Sequence, residues 1–197
     1  FFFEKPKGFK FIPGQFVEIT LNKQPDPFSI ASSPKENFLM IATRLRPSTF
    51  KKSLNKLKIG GRIKIDGPFG QFVLHQNKKT PAVFLAGGIG ITMPRSIIKN
   101  HLGREITLFY SNRRQKDAAF LEELNTLQNR NFKLITTMTK EDGKHINPKM
   151  IKNNVKNWRK AIYYVVGSTG FVQSMADMLA KMKIKPEQIK TENFPGY

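Results

Sequence analysis

Short alternations of apolar and polar positions fill the first part of the chain, over residues 15–21, 28–32, 38–44, 62–66 and 71–74. A period of two puts every second side chain on one face, the pattern of a half-buried strand. Turn-forming residues punctuate these runs at Pro13-Gly14, Pro25, Pro27, Pro34, Gly60-Gly61 and Gly67-Pro68. Many short strands at close intervals predict a small antiparallel barrel. One helix interrupts it: over 49–57, Phe50, Leu54 and Leu57 recur at helical spacing and mark a single buried face.

Beyond residue 78 the period changes. Strand-like runs at 82–86, 105–110, 132–138 and 162–166 are each followed by a helical pattern, at 94–101, 117–128, 148–153 and 171–182. Such alternation predicts a parallel sheet wrapped by helices. Asp117 is placed to cap its helix, whose apolar stripe is Phe120, Leu121, Leu124 and Leu127, and Pro148 fits the first turn of the next helix. Met175, Met178 and Met182 have helical spacing and read as core packing. The expected fold therefore has two domains. Residues 1–78 form an antiparallel β-barrel, and residues 79–197 form a Rossmann-like α/β domain with a five-stranded parallel sheet.

The first parallel strand empties into Gly87, Gly88 and Gly90 and then into a helix. Glycine lets the backbone approach a ligand closely, and a helix N-terminus offers unpaired N–H groups to a pyrophosphate. A dinucleotide cradle is one reading, and a tight strand-to-helix connection without a ligand is the other. The second strand ends in Tyr110-Ser111-Asn112-Arg113-Arg114, where a Rossmann domain inspects the adenosine ribose. Two guanidiniums and the Ser111 hydroxyl suit a 2′-phosphate, which favours NADPH over NADH.

Composition narrows the classes further. The 197 residues, 39% of them hydrophobic, suffice to bury one large core or two small ones. No apolar run approaches the roughly 20 residues of a membrane span, and Phe1-Phe2-Phe3 is broken at once by Glu4, Lys5 and Pro6. The chain starts without Met, inside a strand-like pattern, so a segment upstream is expected, and membrane association only through such a segment. Zero cysteines exclude disulfides, thiolate nucleophiles and Cys-ligated zinc or clusters, and accord with a cytoplasmic setting. His75, His101 and His145 are far apart in sequence and read as surface or loop residues, so no metal is expected. The charge of +20 creates a field that attracts polyanions or acidic proteins. With its lysines dispersed, and with no basic arm, zinc finger or aromatic-rich strand, nucleic acid is not the expected ligand.

Five ordered blocks carry a resemblance that runs over nearly the whole chain. They are Pro27-Phe28-Ser29-Ile30-Ala31-Ser32-Ser33-Pro34, Gly67-Pro68-Phe69-Gly70, Leu85-Ala86-Gly87-Gly88-Ile89-Gly90-Ile91-Thr92, Val166-Gly167-Ser168-Thr169-Gly170 and Glu192-Asn193-Phe194-Pro195-Gly196-Tyr197. Together they resemble the ferredoxin–NADP reductase family. The resemblance implies a barrel that binds flavin, usually FAD, beside an NAD(P)-binding domain, with hydride passing between nicotinamide and flavin. Phe28 would lie against the flavin ring, with Ser29 and Ile30 beside it and the Ser29 hydroxyl near N5. Ala42 and Thr43 would follow the ribityl and phosphate region. Ser48 and Thr49 would bind the flavin pyrophosphate at a helix N-terminus. Gly87, Gly88, Gly90 and Thr92 would face the nucleotide pyrophosphate, and Gly167, Ser168 and Thr169 the nicotinamide half. Tyr197 would shield the flavin. Ser29, Glu192 and Tyr197 are the expected groups nearest the reacting atoms.

The chain departs from that family pattern in three places. Asp26 stands where the family usually has an Arg for the flavin phosphate, so either Arg44 or Arg46 substitutes or flavin affinity suffers. Val166 replaces a Cys, and Met93 displaces the usual Pro to Pro94, which would shift the helix start by one residue. The implied activity is an FAD-dependent NAD(P)H oxidoreductase that exchanges single electrons with a separate acidic protein of ferredoxin or flavodoxin type. The alternatives are the reductase component of an oxygenase, a ferric reductase, or a flavin-free regulatory or binding module on the same fold.

Overall fold

A computed structural model describes residues 1–21 and 24–194. The first part of the chain contributes β1 (Phe2–Glu4), β2 (Phe16–Leu21), β3 (Gln24–Ser29), β4 (Phe38–Met40), helix α1 (Thr49–Asn55) and β5 (Lys64–Phe69). β2 stands between β3 and β5 in an antiparallel sheet, and β1 pairs antiparallel with β4. Both sheets and α1 share one core, in which Val17, Ile19, Phe28, Ile30, Leu39, Ile41 and Leu54 are buried. The predicted stripe of α1 is the face that closes this core, with Phe50 and Leu57 packed beside Leu54.

Two expectations for this half are corrected. Pro25 and Pro27, read as turn punctuation, lie inside β3 opposite Thr20 and Glu18. They are accommodated because β3 is at the edge of its sheet, where a missing N–H costs no ladder bond on the open side. The segment 71–74 forms no strand; after Gly70, at φ +98°, the chain turns away and Phe72 packs into the core of the second half.

That second half contains β6 (Ala82–Gly87), α2 (Thr92–Asn100), β7 (Ile106–Asn112), α3 (Leu121–Thr126), β8 (Phe132–Met138), α4 (Pro148–Asn154), β9 (Ile162–Gly167), α5 (Thr169–Lys181) and β10 (Ile189–Asn193). Its strands form one parallel sheet in the order β10-β9-β6-β7-β8. Alternate residues of β6 serve opposite faces. Ala82, Phe84 and Ala86 pack under Met93, Ile97 and Ile98 of α2 and Leu124 of α3. Val83 and Leu85 pack under Ile151 of α4 and Val172, Met175 and Leu179 of α5. The methionine stripe is core, with Met178 and Met182 against the same cluster. Strand order reverses between β6 and β9, and a crevice opens there at the carboxyl ends, the usual ligand position of open α/β sheets.

Asp117 does not cap a long helix. It ends a separate 3-10 turn, Gln115–Asp117, and α3 begins after Phe120, whose φ of 60° is left-handed. Pro148 occupies the first turn of α4 as predicted, with the Asn147 side chain accepting from the Met150 amide. His75, His101 and His145 all lie in loops.

α2 joins the two halves through its polar face. Arg95, only 4% exposed, donates to both Glu36 and Glu123 and to the Ala31 carbonyl, and Lys99 donates to the same two carboxylates. Burial pushes the Glu36 carboxyl upward, but hydrogen bonds from Arg95, Lys99 and the Ser33 amide outweigh it and hold the group at about 2, against an ordinary 4.5. A depressed carboxylate stabilises the fold above its unfolded value and loses that contribution as pH falls through the folded one. Urea unfolding should therefore show a midpoint that drops between pH 4.5 and about 2. In Glu36→Gln that drop should be shallower; an equally steep drop would place the acid sensitivity elsewhere.

Candidate functional site

The strand ends Gly87, Asn112 and Gly167 meet at the crevice with the 3-10 turn Gly88–Ile91 that leads into α2, the start of α5 and two arginines from the barrel half. Their cleft has a volume of about 230 Å³. The glycines there serve three distinct purposes. Gly88 has φ +55° and turns its backbone toward the cleft, with the Arg44 guanidinium 3.3 Å from where a Cβ would stand. A Cβ at Gly90 would meet the Val166 carbonyl oxygen at 2.7 Å, so this glycine lets the Gly88–Ile91 turn approach β9. Gly87 and Gly167 make room for the Phe171 ring, which would sit 2.8 Å and 3.0 Å from their Cβ positions.

Arg44, Arg46 and Arg113 line this cleft, and no carboxylate does so among the described residues. Ser111, Ser168 and Thr139 add hydroxyls. Ser168 precedes α5 without capping it. Asn112, 5% exposed, lies on the wall with neither amide atom in a well-formed hydrogen bond among the described residues. Guanidiniums, hydroxyls and an open backbone turn are a donor set for a phosphorylated ligand.

A second cavity of about 730 Å³ lies against the barrel. Phe28, Pro27, Phe16, Met93 and Phe194 give it apolar walls, while Ser29, Asp26, Glu192, Ser48, Arg46 and Lys51 are placed around them. An apolar slot with a few convergent polar groups and two cations fits a planar, phosphate-bearing heteroaromatic ligand. Burial raises the pKa of both Asp26 and Glu192, and for Asp26 the nearby Lys51 acts in the opposite direction. Ser48 caps α1 by accepting from the Lys51 amide, which places this helix N-terminus at the cavity rim. Arg46 and Phe194 line both cavities, so the two are neighbours across these residues.

Most of the expected site residues are brought together here. Phe28, Ser29, Ala42, Ser48 and Glu192 surround the larger cavity; Gly87, Gly88, Gly90, Ser111, Arg113, Gly167 and Ser168 surround the narrower one. Thr92 is on the larger cavity, with its hydroxyl donated to the Ile89 carbonyl at 3.2 Å. Ile30 is in the barrel core, since the strand alternation turns it away from Ser29. Thr43, Thr49, Arg114 and Thr169 line neither cavity; Arg114 is exposed at the start of the 3-10 turn. Tyr197 lies outside the described residues. Of the two arginines offered as alternatives, Arg46 lines both cavities and Arg44 only the glycine cleft. α2 begins at Thr92, and Pro94 falls within its first turn, where its missing N–H breaks no helical bond. Phe171, Lys51 and Phe194 were not anticipated as site residues; the Glu192–Tyr197 block was the only signal for Phe194.

Two separate lines of similarity agree with this geometry. Residues 84–177 match the family of oxidoreductase NAD-binding domains. The fold superimposes on a ferredoxin NADP+ reductase from Neisseria gonorrhoeae, solved with bound FAD and NADP, with a TM-score of 0.82 at 20% identity over 98% of this chain and 90% of that one. The chain accordingly has the two-domain fold of the ferredoxin NADP+ reductases, and residues 84–177 within it match an oxidoreductase NAD-binding domain. It is 25% identical to flavohemoprotein A of Dictyostelium discoideum over 98% of this chain and 56% of that protein. It is 33% identical to methane monooxygenase component C of Methylosinus trichosporium over 59% of this chain and 37% of that protein. The chain thus spans about half the length, or less, of these relatives.

Proposed function

We propose that the chain is the flavin- and nicotinamide-binding unit of an FAD-dependent NAD(P)H oxidoreductase, divided near residues 78 and 79 into the two domains. The observation that carries this reading is the adjacency of a glycine- and arginine-lined cleft to an apolar slot, the two sharing Arg46 and Phe194. FAD would be held in the larger cavity, its ring between Phe28, Met93 and Phe194 and its phosphates near Ser48, Lys51 and Arg46. The dinucleotide phosphates would be held over Gly88 by Arg44 and Arg113. When bound, the flavin supplies a two-electron acceptor that releases electrons singly. The protein's own contribution is to orient the two rings and exclude water with its aromatic walls. Ser29 offers a hydroxyl at the slot, and Glu192, with its proton affinity raised by burial, is a site at which a proton can be held.

Lys51 and Arg46 offset the Asp26 carboxylate in the same cavity, which speaks against the flavin-free module. The electron acceptor we propose is a separate acidic protein of ferredoxin or flavodoxin type, steered by the +20 charge. The similarity to methane monooxygenase component C favours, as a second reading, a reductase component that serves an oxygenase.

The test is anaerobic addition of NADPH to FAD-reconstituted protein. Loss of the flavin's visible absorbance is expected; a chain that takes up no FAD contradicts the reading. Ser29→Ala should slow this reduction by about tenfold while leaving nucleotide affinity nearly unchanged, because the hydroxyl acts beside the reacting ring. Equal losses in both would remove Ser29 from that position. Arg113→Ala should cost about tenfold in NADPH affinity, the scale of one charge-assisted hydrogen bond, and little for NADH. Arg114→Ala, which touches neither cavity, should leave the ratio as it is.

A further inference from the structure

The polar residues of α2 recur at helical spacing, Thr92, Arg95, Ser96, Lys99 and Asn100, yet this stripe faces the barrel half rather than water. Each turn of it is fastened to one short segment, residues 31–36, that follows β3 directly. Arg95 donates to the Ala31 carbonyl at 2.7 Å, and the Ser96 hydroxyl to the Ser32 carbonyl at 2.6 Å. Lys35 reaches the Asn100 carbonyl at 3.2 Å. Glu36 receives Arg95 at 3.0 Å and Lys99 at 2.8 Å. On the far side Glu123 of α3 receives the same two cations, at 2.6 Å and 2.8 Å, and the Phe120 ring lies 5.0 Å from the Arg95 guanidinium. The four charges balance. The segment is itself held to the barrel, since the Ala31 amide donates to the Met40 carbonyl and the Met40 amide to the Ser32 hydroxyl.

The position of this bracket matters more than its strength. One turn before Arg95, α2 supplies Thr92 and Met93 to the wall of the larger cavity, and its entry turn is Gly88–Ile91. Immediately before residue 31, β3 supplies Phe28 and Ser29 to the opposite wall. The helix that carries the glycine turn is therefore bolted to the strand that carries the slot. A surface ion pair contributes little to fixed geometry, but a forked guanidinium shared by two carboxylates and a carbonyl fixes direction as well as distance.

We infer that Arg95, with Glu36, Lys99 and Glu123, is a positioning cluster that sets the separation between the nicotinamide and flavin sites. This rests on the functional reading above. Arg95 touches neither cavity and acts through α2. Hydride transfer is steeply sensitive to such alignment, with an ångström of misplacement costing up to about a hundredfold.

The test uses Glu36→Gln, which removes one charge and keeps the shape, and Arg95→Lys, which keeps the charge and loses the fork. Because the chain has no cysteine of its own, Lys10→Cys in the barrel half and Lys116→Cys in the α/β half can be spin-labelled selectively. Pulsed dipolar spectroscopy of the cofactor-free protein should give a narrow distance distribution in the parent and a broader one in both variants. In FAD-loaded protein the limiting rate of flavin reduction at saturating NADPH should fall by about 10–100-fold, with the affinities for FAD and NADPH kept within about twofold. An unchanged distribution in both variants overturns the inference, and so does a broadened one with an unchanged limiting rate. Should the parent take up no FAD, the functional reading fails while the distance measurement still decides whether the cluster fixes the two halves.

Discussion

Arg46→Glu is expected to weaken FAD binding by about a hundredfold or more and to weaken NADPH binding with it. Arg46 is the only charged side chain among the described residues that lines both cavities. The larger one also contains Asp26, whose carboxyl is already disfavoured as an anion by burial. A hydrogen bond between charged partners contributes about 1.5–3 kcal/mol, and every 1.4 kcal/mol is tenfold in affinity. Reversing the charge removes that bond and adds repulsion beside Asp26. Arg62→Glu, an exposed barrel position on neither cavity, changes net charge equally and serves as the control. Fluorescence titration with FAD measures both; equal losses in the two variants would reduce the effect of Arg46 to the general field of a basic protein.

The second large effect is expected at Gly90. Its Cβ position is 2.7 Å from the Val166 carbonyl oxygen, 2.9 Å from the Val166 carbonyl carbon and 3.0 Å from the Gly167 Cα, all backbone atoms that cannot swing aside. Gly90→Ala must push the Gly88–Ile91 turn, which leads into α2, away from β9, and overpacking of this kind costs about 1–3 kcal/mol. The displacement occurs at the floor of the glycine cleft, so nucleotide affinity should fall together with stability. Gly170→Ala is the natural counterpart. It lies in α5 with nothing within 4 Å of its Cβ position, and should stabilise by about 0.5–1 kcal/mol through helix propensity. Chemical denaturation of the pair should move in opposite directions; a Gly90→Ala protein as stable as its parent would mean that the turn and strand are not in this contact.

Legibility in the sequence followed the physics of each element. Four strands of the parallel sheet were found within one or two residues because strands covered on both faces are continuous apolar runs, as 82–86 and 162–166 are, whereas the polar edge strand β10 (Ile189–Asn193) was not located. The barrel was less readable. Pro25 and Pro27 look like breakers unless the strand is known to be an edge, and 71–74 alternates like a strand although Phe72 and Leu74 pack into the core of the second half. The Asp117 cap failed because a left-handed Phe120 intervenes, and nothing in the sequence marks a bulky residue for that conformation.

The site divides in the same way. Glycines at a strand-to-helix turn are conspicuous, so Gly87, Gly88, Gly90 and Gly167 could be singled out in the sequence, and all four line the cleft. Among 34 basic residues, by contrast, nothing distinguishes Lys51 from solvated lysines until the cavities are seen, and Arg46 could be named only as an alternative to Arg44. The Arg95 cluster was illegible for a related reason. A polar helix face ordinarily meets water, and only the packing of residues 31–36 against α2 reveals that this one does not.

The claim on which the account rests is that two cofactors meet across the seam at Arg46 and Phe194. It is tested most directly by anaerobic single-turnover reduction of the FAD-loaded protein with NADPH deuterated at either face of C4. Fixed ring-to-ring geometry predicts that the label slows flavin reduction from one face only. Reduction equally insensitive to both labels, or a bound flavin that NADPH and NADH both leave oxidised, would contradict it.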